Sequence, residues 1–439
     1  MWRDDKNRSM RNVRYINISD FFPCIIDIIV IFCLLFEFRL GYGLTTSRVA
    51  VLFAIGYIIV HRDEAFFYNK IGKSRAFYIS LCMIGIVSCV IFFNYTMYDY
   101  NYPQEVEVVL MYPHYMVYVV LYVFVTANYY LARFNTFEKF IKVYVSAIYI
   151  QVLAIFVGTI NTNVRIWLYV HTISNHNSDG MLEAVKLGSR ICGIGLMAAG
   201  GSVMLATACL ALLYLVINDC ISQRLFFLIY TPVVIATMLI GRTGFYVEII
   251  ILFMYFLISR KWGIIIKIGM VGIVGVAVLY LFTIKSGTSW LLQYYKKWIG
   301  EIFVADNLKE TIRGVLGKNV VDKNTYSANF LFGSNIMRGS MPTGGVMLAD
   351  SGYLRMFNSV GILGCVFYYG AFLNIYLYIA NKIRNKKNQI FYLFCIVLAY
   401  VLEFKEPFML KYFFPAIILG IGMFMYREEQ FSGREIRGV

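Results

Sequence analysis

Thr288–Phe303 reads TSWLLQYYKKWIGEIF, and it opens the one long stretch of the chain, 285–356, that cannot lie in hydrocarbon. Trp290, Leu291, Tyr294, Tyr295, Trp298, Ile302 and Phe303 fall largely on one helical face, opposite Lys296, Lys297 and Glu301. That spacing predicts a helix lying along a membrane surface. Beyond it come Lys309, Arg313, Lys318, Lys323 and Arg338, a Pro/Gly-rich patch at 340–345, and Asp350-Ser-Gly-Tyr-Leu-Arg355 ahead of the next apolar run. On both sides of this stretch the chain is a succession of apolar runs of membrane-spanning length. It is 60% hydrophobic, 17% aromatic and only 15% charged, the composition of an all-α polytopic integral membrane protein. One long polar loop among many short ones points to chemistry in that loop.

Spans are expected at about 20–38, 45–60, 76–94, 114–132, 143–162, 191–217, 225–241, 244–259, 264–284, 357–380, 390–403 and 412–426, roughly twelve helices in all. The chain then divides into a membrane region at 1–284, the large loop at 285–356, and a membrane region with a polar tail at 357–439. Met1–Asp20 is polar and basic and leads directly into the first span, which is read as its own insertion signal. Short loops rich in Lys and Arg, such as those carrying Arg62, Lys70, Lys73 and Arg75 or Lys382, Arg384, Lys386 and Lys387, all fall on the side of the N-terminus. Both termini are therefore expected in the cytoplasm, with 285–356 outside, periplasmic in a bacterium with its inner membrane as the host. Tyr95–Pro113 has no Lys or Arg but holds Asp99, Glu105 and Glu107, which suits the same outer side.

The formal charge of +15 does not call for a nucleic-acid partner, because the basic residues are scattered among the loops and topology accounts for most of the excess. Nine cysteines lie mostly inside apolar runs without metal-ligand spacing, so they read as buried small hydrophobes. No Walker-type loop, HExxH motif or Asp-x-Asp pair is present, which speaks against ATP-driven transport and nucleotide-sugar synthesis; no metal or cofactor is expected. Asp27, Glu37 and Glu248 are acids in or near spans and keep a transporter reading open.

Two outer features carry further candidates. Asn161–Arg190 holds Arg165, His171, His176 and Arg190 in a short polar segment. Gly241-Arg-Thr-Gly244 places Arg242 between two glycines at the ends of two spans, where a snorkelling role competes with anion binding by backbone and guanidinium together.

The Gly241–Gly244 turn, the large outer loop, the segment 349–364 (ADSGYLRMFNSVGILG) and Glu403-Phe-Lys-Glu-Pro407 before the last span together resemble the Wzy O-antigen polymerases and the related O-antigen ligases. The layout resembles them over the whole chain, the residues over a small part of it. The resemblance implies a GT-C-like membrane fold with a large periplasmic loop. It also implies inverting, metal-independent transfer of oligosaccharide repeat units carried on undecaprenyl diphosphate, the lipid-linked glycan being both donor and acceptor. A chain-length regulator and a flippase would be partners. Such transfer needs cations for the diphosphate, for which Arg165, Arg190, Arg242, Arg338 and Arg355 are candidates, with Lys405 and Glu406 from the last motif. It also needs a base for the acceptor hydroxyl. The ligases carry histidine where this chain has Asp350, so Asp350 is the candidate base or an orienting partner of an arginine, with His171 and His176 as alternatives. A ligase and, from another class, an exporter or flippase of the lipid-linked unit are the competing readings.

Overall fold

The computed structural model describes residues 18–41, 44–61, 70–97, 107–108, 114–173, 179–188, 191–195, 198–259, 330–340, 346–347, 351–411 and 413–435. These form thirteen α-helices: α1 (Ile18–Leu35), α2 (Thr46–Val60), α3 (Arg75–Met97), α4 (His114–Arg133), α5 (Phe137–Ile160), α6 (Thr162–Thr172), α7 (Asp179–Lys186), α8 (Ala198–Ile217), α9 (Gln223–Ile240), α10 (Arg242–Ser259), α11 (Gly352–Ala380), α12 (Lys386–Leu402) and α13 (Phe413–Glu435). Five of them (α3, α5, α8, α9 and α11) are long and apolar enough to cross a membrane, and shorter apolar stretches lie in α1, α2, α4 and α10. The chain is a mostly helical, membrane-embedded protein. Every expected span finds a helix except 264–284, which lies outside the described residues, as does the surface helix expected at 288–303.

Burial sorts the helices. Of the apolar stretch Gly200–Ile217 in α8, 89% is buried, against 28% for α3. α8 is therefore the centre of the bundle, packed on α9, α10 and α5, while α3 lies along α11 and turns the rest of its surface outward. Leu81, Phe92 and Phe93 on α3 and Leu153 and Val157 on α5 are exposed apolar side chains, which suits a lipid-facing surface.

One end of the bundle is closed by a short run on α13. Arg427 donates to Leu131 O at 2.6 Å and Phe134 O at 2.5 Å, carbonyls left over where α4 ends. Glu428 accepts from Phe137 N at 2.9 Å, an orphan N–H at the start of α5, and from Tyr214 OH at 3.2 Å. Glu429 accepts from the backbone N–H groups of Arg384 and Asn385 ahead of α12. A cation on helix C-terminal carbonyls and anions on helix N-terminal N–H groups is the pairing that helix ends favour. Glu428→Ala leaves a backbone N–H and a phenol without their acceptor, and is expected to lower stability by about 1–3 kcal/mol. The thermal midpoint of the detergent-solubilised protein would register it, with Glu428→Gln falling between the two.

The acids expected near spans separate clearly. Asp27 is held by Arg133, with Nε to Oδ1 at 2.7 Å and Nη2 to Oδ2 at 3.1 Å, so it is a paired charge. Glu37 lies beyond the end of α1 and is exposed, which corrects its placement inside a span. Glu248 is 1% exposed and stays buried.

At the opposite end of the bundle short strands pair. β1 (Arg39–Gly41) pairs antiparallel with β2 (Leu44–Thr45). β3 (Glu107–Val108) pairs with β4 (Ile336–Ser340), Glu107 opposite Arg338, and β4 pairs with β5 (Val346–Met347). The 95–113 loop and the large loop therefore share an end of the molecule.

α11 is broken. Gly361 has φ 65° and ψ −174° inside it, a conformation open essentially to glycine alone. The Tyr353 and Tyr369 rings are 5.0 Å apart, whereas sixteen residues of straight helix would separate them by about 24 Å. The chain thus turns back at Gly361, and α11 is a V with two arms. The break frees helix-end groups, and the segment 330–335 satisfies them: Ile362 N donates to Phe330 O at 2.9 Å and Leu363 N to Leu331 O at 3.3 Å, while Ser334 N and Asn335 N donate to Asn358 O and Ser359 O, each at 2.7 Å. Asn335 then anchors the segment on α3 through Ile91 O at 2.9 Å. The 330–335 segment of the large loop thereby caps the tip of the V, and the boundary expected at 356/357 falls inside the first arm.

Candidate functional site

The first arm of α11 starts against the connection between α12 and α13. Gly352 N donates to Glu403 O at 2.8 Å, and the Tyr353 ring lies 4.9 Å from that of Phe404, its hydroxyl donating to Tyr400 O at 2.9 Å. A Cβ on Gly352 would stand 2.5 Å from Glu403 Oε1 and 2.7 Å from Pro407 Cα. The motif at 349–364 and the motif at 403–407 are therefore one unit.

Glu403 is fully buried. Its Oε1 accepts from Tyr369 OH at 2.7 Å and its Oε2 from Met409 N at 2.9 Å. Both oxygens are thus engaged in tying the second arm of α11 to the connection, while the Glu403 backbone carbonyl ties the first.

Lys411 closes the same connection. Its Nζ is 2.6 Å from Glu406 Oε2 and 4.6 Å from the centre of the Phe408 ring. It also reaches α8, because a Cβ on Gly200 would be 3.0 Å from Lys411 Nζ. Two residues further along α8, Ser202 Oγ accepts from Gly244 N at 3.0 Å. The Gly241–Gly244 turn and the 403–411 connection accordingly flank the first turn of α8. α8, α10, α11 and α13 all begin at this end of the bundle, and helix starts carry partial positive charge that favours anions. Lys405, Arg355 and the first residue of α10, Arg242, add whole charges of the same sign, while Lys411 is paired with Glu406.

Counted back from Gly361, the Glu403–Tyr369 contact lies eight residues down the second arm, a depth of about 12 Å below the tip of the V. The connection is thus recessed within the bundle. Its irregular backbone is buried, with Phe408, Met409 and Leu410 nearly inaccessible. Non-helical backbone at such depth is tolerated where protein surrounds it.

The residues expected to form the site divide into four groups. Arg355, Lys405 and Glu406 lie on the two joined motifs, all half-buried. Arg242 heads α10 and Arg338 lies in β4 opposite Glu107. Arg165 and His171 lie on α6. Arg165 is 2% exposed, and its guanidinium donates to Val185 O at 2.7 Å, Gly158 O at 3.1 Å, Thr162 Oγ1 at 3.2 Å, Lys186 O at 3.2 Å and Thr159 O at 3.5 Å. These bonds take up its donors and hold α6 against α5 and α7, a framework role. His171 is exposed, stacked on Trp167 with Nδ1 3.0 Å from Trp167 O. Asp350, Arg190 and His176 lie outside the described residues, as do the side chains of Arg242 and Arg338.

Glu403, Tyr369 and Lys411 were not among the expected site residues. Lys411 had a usable signal in the sequence, a second cation after Lys405 placed directly before the last apolar run. Among the described residues no three His, Cys, Asp or Glu side chains gather to hold a metal ion. Comparison with models of protein families finds no match, and neither does comparison with curated proteins or with solved structures.

Proposed function

We propose that the chain is a Wzy-type polymerase that joins undecaprenyl-diphosphate-linked oligosaccharide repeat units at the periplasmic face of a bacterial inner membrane, with about twelve spans and both termini cytoplasmic. The observation that supports this reading best is the junction of the resembling motifs. Gly352 N bonds to Glu403 O, and α8 is touched by Lys411 on one side and Gly244 on the other. A recessed, cation-bearing corner among helix starts suits a lipid diphosphate, whose glycan would lie toward the large loop.

In this reading the acceptor hydroxyl loses its proton to Asp350 as it attacks the anomeric carbon of the donor sugar. The glycosidic bond to the diphosphate breaks with inversion, and the departing charge is met by Arg242 and the other cations. Glu403 and Tyr369 hold the helix that begins two residues after Asp350.

The glycan ladder of a deletion strain tests the proposal. Loss of the ladder with one repeat unit kept on the core is the expected result. Loss of all glycan from the core would make the chain a ligase instead, and accumulation of lipid-linked unit at the cytoplasmic face would make it a flippase.

Two substitutions bear on the roles. Arg242→Lys keeps a charge but loses planar bidentate geometry, so the ladder should shrink sharply at unchanged protein level. A near-normal ladder from Arg242→Ala would leave this residue a snorkelling cation. Asp350→Asn should remove turnover of purified enzyme across pH 6 to 9, a range well above an ordinary Asp value of about 4. Substantial residual turnover would rule out Asp350 as the sole base.

A further inference from the structure

Glu248 lies on α10 below the Gly241–Gly244 turn, facing α8 and α9, and plays no part in the site described above. Its Oε1 is 2.8 Å from Thr237 Oγ1 and 3.7 Å from Cys209 Sγ. Its Oε2 has no partner among the described residues. The same Thr237 hydroxyl is also 2.8 Å from Val233 O. A hydroxyl carries one proton, and a carbonyl can only accept. Thr237 Oγ1 can therefore donate to only one of the two, and when it donates back along its own helix to Val233, as helical threonines do, the proton between Thr237 and Glu248 comes from Glu248.

The surroundings agree with that count. The Tyr230 hydroxyl donates to the backbone carbonyl of Glu248 at 2.8 Å, and the nearby Tyr149 hydroxyl donates to Ile229 O at 2.6 Å. Neither phenol serves the carboxyl. Cys209 is a weak donor at best, and among the described residues no Lys, Arg or His bonds to Glu248. An ionised carboxylate with one bare oxygen inside an apolar bundle is far costlier than a neutral acid with one bare carbonyl.

We propose that Glu248 is an intramembrane proton-binding site: it carries a proton, donates it through Oε1 to Thr237 Oγ1, and as a neutral acid couples α9 to α10 beneath the turn that carries Arg242. The packing explains why the coupling matters there. A Cβ on Gly244 would stand 2.2 Å from Ser202 O and 2.6 Å from Thr237 Cγ2, so α8, α9 and α10 close tightly around Thr237. The inference is independent of the polymerase reading, and its test needs no glycan.

Infrared difference spectra of the purified full chain, wild type minus Glu248→Gln, in ordinary and heavy water provide that test. The expected result is loss of a protonated-carboxyl carbonyl band that moves on deuteration. Loss of carboxylate bands instead would overturn the proposal, whether the negative charge were bare or held by a bound cation. Should Glu248→Gln not accumulate, Thr237→Val serves: the protonated band should shift as its hydrogen bond disappears, and an unmoved band would overturn the Thr237 assignment.

Discussion

Gly361→Ala is expected to unseat the 330–335 segment from α11. Two costs combine at this position. The backbone conformation, φ 65° and ψ −174°, is strained for any residue with a Cβ by about 1–3 kcal/mol. The added Cβ would also stand 2.3 Å from both Leu331 C and Leu331 O, atoms of a backbone held by hydrogen bonds on both sides, and such overpacking costs about 1–3 kcal/mol more. Relief by straightening α11 is barred, because that would carry Tyr353 away from Tyr369 and break the Gly352–Glu403 junction. The thermal midpoint should fall by more than for Glu428→Ala, and protease should cleave near 330–335 in the variant but not in the wild type. Gly333 makes a control, since its φ is 74° and its Cβ would stand 2.5 Å from Gly361 N. Gly333→Ala should reproduce the defect from the other side of the contact.

Hydrophobic periodicity made the helices legible, and it failed where polarity and backbone geometry took over. The first arm of α11 carries Arg355, so polarity sets the end of the loop at 356/357, partway along the arm, and the apolar residues after it read as the start of a straight span. Gly361 is invisible by composition, because Gly361-Ile-Leu-Gly364 reads as an apolar run with tolerated glycines. Its effect depends on an approaching backbone that no local pattern announces.

The motifs of the site were legible as motifs, but their meeting was not. The bonds that join them run from Gly352 N to Glu403 O and from Gly244 N to Ser202 Oγ, and backbone groups carry no residue identity. Arg165 shows the converse. Its residue type and loop position suggested anion binding, yet its donors were required by helix-end carbonyls at Gly158, Val185 and Lys186, a demand that only the fold creates.

Glu403→Ala is expected to abolish polymer formation, because this one carboxyl joins the second arm of α11 to the connection that holds the first. The substitution leaves Tyr369 OH and Met409 N buried without an acceptor, at about 1–3 kcal/mol each, and it frees the second arm of α11 from the connection that holds the first. Glu403→Gln keeps the shape and one acceptor oxygen, but turns an amide donor toward one of two donors, so it should retain part of the ladder. Thermal midpoints of the detergent-solubilised protein should fall furthest for Glu403→Ala, with Glu403→Gln between it and the wild type. A wild-type ladder and midpoint from Glu403→Ala would mean that contacts other than Glu403 with Tyr369 and Met409 join the two arms.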